Sequence, residues 1–169
     1  MRGYTQEGRF DASFEQLNVE DGIATELRTP IGSSVEWWLY DTVNSSVDPV
    51  YDTGSIGYGL KWIGPNHLPV VRAIITEGKV NQSERGFYKV NDLHLTALGE
   101  DLLKIDPGIL NNPDIENRAR VVWHGQVFRP YYVQQRGIIG DTFSMVTVDL
   151  MQLSPEELIN ESQFASYAD

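Results

Sequence analysis

Residues 120–153, "RVVWHGQVFRPYYVQQRGIIGDTFSMVTVDLMQL", decide the fold. "RVVWHG" and "QVFRPYYVQQRG" flank His124-Gly125, a pair suited to a tight hairpin turn. Gly137 to Asp141 supplies a second turn before "TFSMVTVDLMQL". The apolar period in that last segment is two: Val146, Val148 and Leu150 fall on one face, and Phe143, Met145, Thr147 and Asp149 on the other. The stretch therefore reads as a three-strand antiparallel meander. Pro130 has no amide hydrogen to give to a ladder, which places a bulge or an exposed edge in the middle strand.

Working outward, "NDLHLTAL" (91–98) alternates Leu93, Leu95 and Ala97 against His94 and Thr96, as a half-buried strand does. "LPVVRAIITEGKV" (68–80) is β-branched on both faces and reads as a bent strand, with "NQSERG" as turn material before "FYKV". In "SSVEWWLYD" (33–41), Trp37 and Trp38 are adjacent and so point to opposite faces. One enters the core; the other needs a second layer of the same chain or a contact with another subunit. Residues 99–117 are broken by Pro107, Gly108 and Pro113 and read as connector with one helical turn. Thr42–Gly59 is rich in Gly, Pro, Ser, Asn and Asp without periodicity, the pattern of a long loop over about 42–60. At the end of the chain, Ser154, Pro155 and Glu157 form an N-cap, an N1 proline and a capping box, which predicts a short acidic helix within 154–169. Its Leu158, Ile159 and Phe164 require cover. Residues 1–32 are assigned to an N-terminal arm with isolated apolar residues (Tyr4, Phe10, Phe14), and residues 33–153 to the β domain.

The chain is 169 residues long with 13 Lys and Arg against 24 Asp and Glu, a formal charge of −11. That balance disfavours a phosphate-gripping nucleic-acid binder, whose affinity comes from clustered cations that release counterions. There is no cysteine, which removes disulfides, thiolate zinc sites and cysteine nucleophiles. No long apolar run is present, and the polar start is expected to be neither a signal peptide nor a membrane anchor. Asp41, Asp48 and Asp52 lack the EF-hand alternation and its bidentate Glu. His67, His94 and His124 stand in no metal-binding frame, no G-x-S-x-G elbow is present, and "GSIGYG" (54–59) matches neither phosphate-loop pattern. No catalytic residue, metal or cofactor is expected.

The runs "SVEWWLYD", "VDPVYDTG", "LPVVRAIITEG", "ERGFYKVNDLHLT", "RARVVWHGQVFRPYYVQQRGIIGDTFSMVTVDLMQL" and "SPEELINESQFASYAD" resemble the head-to-tail connector proteins of long-tailed bacteriophages, stopper type, over roughly residues 33–169. The hairpin with Val121, Gly125 and Phe128 carries most of the likeness, while the arm and the acidic helix exceed the small stopper pattern. The resemblance implies a small antiparallel β-barrel or sandwich that forms a ring in the virion neck and retains packaged DNA. It implies host cytoplasm during assembly and no membrane. The expected partners are copies of itself, the portal-adaptor complex, and the tail terminator or tail tube, with DNA passing by without specific binding. A tail terminator or another neck ring is the nearest alternative, and a monomeric ligand-binding β-barrel is the alternative from another class. On this reading Asp48, Tyr51, Asp52 and Ile56 belong to a channel loop, and Trp37, Trp38, Leu158 and Phe164 to intersubunit contacts.

Overall fold

The computed structural model describes residues 12–27, 33–45, 59–78, 80–83, 86–111, 113–139 and 142–167. Seven strands form one antiparallel sheet: β1 (Ser33–Tyr40), β2 (Trp62–Val70), β3 (Arg72–Thr76), β6 (Asp92–Leu98), β7 (Ala119–Trp123), β8 (Gln126–Ile139) and β9 (Thr142–Gln152), in the order β2-β1-β7-β8-β9-β6-β3. The short strands β4 (Val80–Ser83) and β5 (Gly86–Lys89) pair separately. Among the described residues three helices, α1 (Ala12–Leu27), α2 (Gly99–Ile105) and α3 (Pro155–Asn160), complete the elements together with a 3₁₀ turn at Ala165–Tyr167.

The meander β7-β8-β9 forms as its alternation dictates. His124 (φ 49°) and Gly125 (φ 74°) both sit in the left-handed region, which a tight hairpin turn requires. The register slips between Pro130 and Tyr132, the bulge expected where proline cannot donate. The second turn is tighter than Gly137–Asp141, because β8 continues to Ile139 and pairs there with Thr142. The bent strand also holds, but it begins earlier, at Trp62. Its first half pairs with β1 and its second, after Val71, with β6. The two ends of the sheet order are thus two halves of one bent segment, although the sheet does not close into a barrel. The layered alternative is the one that holds.

Both faces of the sheet carry a core. On one, Val35, Trp37, Val121, Phe128, Leu93, Leu95, Val146, Val148 and Leu150 pack with Leu102 of α2 and Ile109. On the other, Trp62, Val122 and Val127 pack with Leu153, Leu158 and Phe164, and Trp38 and Tyr40 lean against them. Adjacent residues such as Trp37 and Trp38 therefore serve different cores, as strand pleating requires. The connector is tied by Asp106, whose buried carboxylate accepts from Arg118 Nε at 2.6 Å.

Within the expected arm, residues 12–27 are helical. α1 packs on β9, β8 and β6, and none of its described side chains belongs to either core. Leu17 and Val19 stay exposed. With its apolar residues not gathered in one stripe, the helix shows no pattern to read.

Candidate functional site

The four expected channel-loop residues, Asp48, Tyr51, Asp52 and Ile56, lie outside the described residues. What is described is the base of that loop, and it is pinned. Asp41 N donates to Lys61 O (2.9 Å), and Lys61 N donates to Ser45 Oγ (2.9 Å). Asp41 Oδ1 accepts from the amides of Val43 (2.9 Å) and Asn44 (3.0 Å), and Oδ2 accepts from Asn44 Nδ2 (2.7 Å). The Asn44 side-chain amide first, and then the Asn44 backbone amide, hold the Asp41 carboxyl below the usual carboxylate range against the opposing effect of burial. The Val43 amide and the Lys61 charge act in the same direction as Asn44. The described segments on either side of residues 46–58 are therefore held together by hydrogen bonds that join Asp41 and Ser45 to Lys61.

The residues expected at intersubunit contacts are covered from within the chain. Trp37 is 0% exposed in the first core, and Leu158 (4%) and Phe164 (1%) are buried in the second. Trp38 is half-buried and meets the Phe164 ring edge-on at 5.5 Å. The reason lies in the C-terminal segment, which folds back on the sheet. Gln163 bonds both backbone groups of Trp62, accepting from its amide (2.7 Å) and donating to its carbonyl (3.0 Å). Glu161 accepts from Arg120 at 2.7, 3.0 and 3.2 Å, with both residues 4% exposed, and the Arg120 guanidinium lies 4.2 Å over the Trp62 ring. The second layer for Trp38 is therefore this chain's own terminus, and the capped helix α3 is its first turn: the Ser154 side chain accepts from the Glu157 amide, and Glu157 accepts from the Ser154 amide.

Large apolar side chains do reach solvent elsewhere. β7 pairs with β8 only over Gln126–Phe128, so from Arg129 to Ile139 β8 has no strand on that side among the described residues. From Met145 toward the turn β9 leaves β6 as well, and this end of the hairpin is met by α1, whose Gln16 Nε2 donates to the Phe143 carbonyl (3.5 Å). Along this overhang Tyr131, Tyr132 and Ile138 are exposed, as are Ile74 and Ile75 on β3. Reading by alternation missed this surface, because the signal is one of length: β8 spans 14 residues and its neighbour β7 only 5.

A polar row crosses the same face. His94 Nδ1 lies 2.7 Å from Asp149 Oδ1, and its Nε2 lies 3.2 Å from Thr76 Oγ1. Tyr131 nearby has its phenol pushed up, first by burial and then by the negative charges of Asp92 and Asp149. The row runs across three adjacent strands on an open surface, where such side chains pair as sheet neighbours. Among the described residues no group of three or more His, Asp or Glu stands together as a metal site, and no helix is long and apolar enough to cross a membrane.

No family model and no curated protein matches the chain. Among solved structures, a chain of the "Virion of native gene transfer agent (GTA) particle" is similar, with a TM-score of 0.42 and 15% identity; the match covers 74% of this chain and 98% of that one. This is a weak likeness to a chain from a virion.

Proposed function

We propose that the chain is a structural virion protein of the phage neck, of stopper type. It assembles with copies of itself into a ring between the portal-adaptor complex and the tail. The observation that carries the reading is the overhang of β8: an edge that meets no strand beyond Phe128 among the described residues, together with the exposed Tyr131, Tyr132 and Ile138, asks for a neighbour. The sequence resemblance supplies the place in the virion. The acidic balance suits a wall past which DNA moves, because like charge prevents a grip on the duplex. The loop rooted at Asp41–Ser45 is the element assigned to the channel, and DNA contact there is steric. The test uses DNA-filled heads that carry portal and adaptor. Adding the chain retains the genome and permits tail joining, and replacing residues 46–58 by a short Gly-Ser linker preserves binding to the head but lets DNA leak. Heads that leak equally with and without the intact chain contradict the proposal.

A further inference from the structure

We propose that the outer edge of β3 pairs with the outer edge of the distal half of β8 of a second copy of this chain. The inference takes its setting from the ring reading and adds the contact by which copies join.

Beyond the reach of β7, the strands β3, β6, β9 and β8 form a four-stranded block with two open sides among the described residues. The register places its two edges level. Ile74 is joined through His94 and Asp149 to Tyr132, Ala73 through Leu95 and Val148 to Val133, and Arg72 through Thr96 and Thr147 to Gln134. All three pairings are antiparallel, so the first and fourth strands run in opposite directions. A β8 laid beside β3 thus continues the antiparallel order without turning either copy over. On an unshifted register Ile74 meets Tyr132 of the partner subunit, a β-branched residue against an aromatic, and Ala73 meets Val133 of the partner subunit.

Both edges are also chemically open. Charge is confined to one end of each edge, Arg72 on β3 and Arg136 on β8, and Ala73, Ile74, Ile75 and Thr76 include no proline, bulge or charge, the devices that keep an edge strand from pairing. Ile74 (37%) and Ile75 (38%) are exposed on the two opposite faces of this strand. On β8, the bulge after Pro130 and Gly137 with φ 63° mark off a segment, Tyr132–Arg136, of the same five-residue length as β3. One chain therefore carries two matching edges.

The size of the contact favours a closed assembly over a pair. A five-residue edge is about 17 Å long by roughly 10 Å thick, a fraction of the ~800 Å² per partner typical of stable complexes. One such contact is weak, but every copy in a closed set makes two. Head-to-tail contacts of this kind generate rings when the rotation closes.

The absence of cysteine makes the test direct. The full chain carrying Ile74→Cys, Tyr132→Cys or Gln134→Cys is oxidised alone, in equal mixtures and as doubles, beside a light-scattering mass of the unaltered chain. Each single variant is expected to stay a single chain. A mixture of Ile74→Cys with Tyr132→Cys gives a covalent dimer, or with Gln134→Cys if the register slides by two. The corresponding double variant gives a ladder that collapses on reduction. A dimer from Tyr132→Cys or Gln134→Cys alone overturns the proposal in favour of β8 meeting itself, and a disulfide formed only within one chain overturns it as well. No cross-link in a preparation whose mass is that of a ring refutes this contact and leaves the ring reading standing. No cross-link together with no multi-copy assembly, either alone or on portal-adaptor complexes, refutes both.

Discussion

Replacing Glu161 by alanine removes one half of the ion pair that anchors the C-terminal segment. Arg120 would keep its bonds to the carbonyls of Glu116 (2.8 Å) and Ala119 (3.0 Å) and its position over Trp62, but its charge would have no counter-ion in a site only 4% exposed. Breaking a buried pair in this way costs about 3–5 kcal/mol, most of it from the charge left behind. With a urea dependence of about 2 kcal/mol per molar for a domain of this size, the midpoint falls by roughly 1.5–2.5 M. Tryptophan fluorescence reports the same event before global unfolding, because a loosened Phe164 uncovers Trp38 and Trp62. The double replacement Arg120→Met with Glu161→Leu removes both charges and is expected to recover most of the loss. A midpoint shift below about 0.5 M for Glu161→Ala, equivalent to roughly 1 kcal/mol, refutes the buried anchor.

Three further outcomes follow from the geometry. Gly125→Ala costs about 1–2 kcal/mol in urea unfolding, because an added Cβ meets nothing within 4 Å and only the positive φ penalises it; an unchanged midpoint contradicts the turn. Trp37→Ala loses roughly 3–5 kcal/mol as a fully buried core aromatic, whereas Trp38→Ala mainly exposes the C-terminal segment to proteolysis; equal unfolding by both contradicts separate cores. Since the Asp41 carboxyl is held below its ordinary value, it contributes stability above the unfolded value of about 4, and that contribution is lost as pH falls through the lower folded value. Amide exchange at Val43 and Asn44 therefore accelerates selectively below about pH 4 relative to an Asp41→Asn variant; identical pH dependence in the two chains contradicts this.

The legible parts of the fold were those with local periodicity or local caps. The alternation of Val146, Val148 and Leu150 specified β9, and Ser154 with Glu157 specified the start of α3. The first part of β2 carries no alternation, because Gly64, Pro65 and Asn66 interrupt it, yet it is a strand because it stands at the end of the sheet and pairs with β1 alone. Arg120 and Glu161 are 41 positions apart, and no pattern along the chain announces their pairing. The contact surface was likewise unreadable, because the exposure of Tyr132 and Ile74 depends on where β7 stops and on which strand ends the sheet. Of the apolar residues that looked in need of a partner, Leu158 and Phe164 found it in the same chain, while Ile159 stays exposed.

The measurement that tests the central claim most directly is the mass of the species formed when the purified chain is added to portal-adaptor complexes, read by native mass spectrometry. The account predicts that the bound chain adds as a closed set of copies, an integral multiple of 19.1 kDa, with no stable intermediate numbers. A chain that remains free at 19.1 kDa, or that binds as scattered single copies, contradicts it.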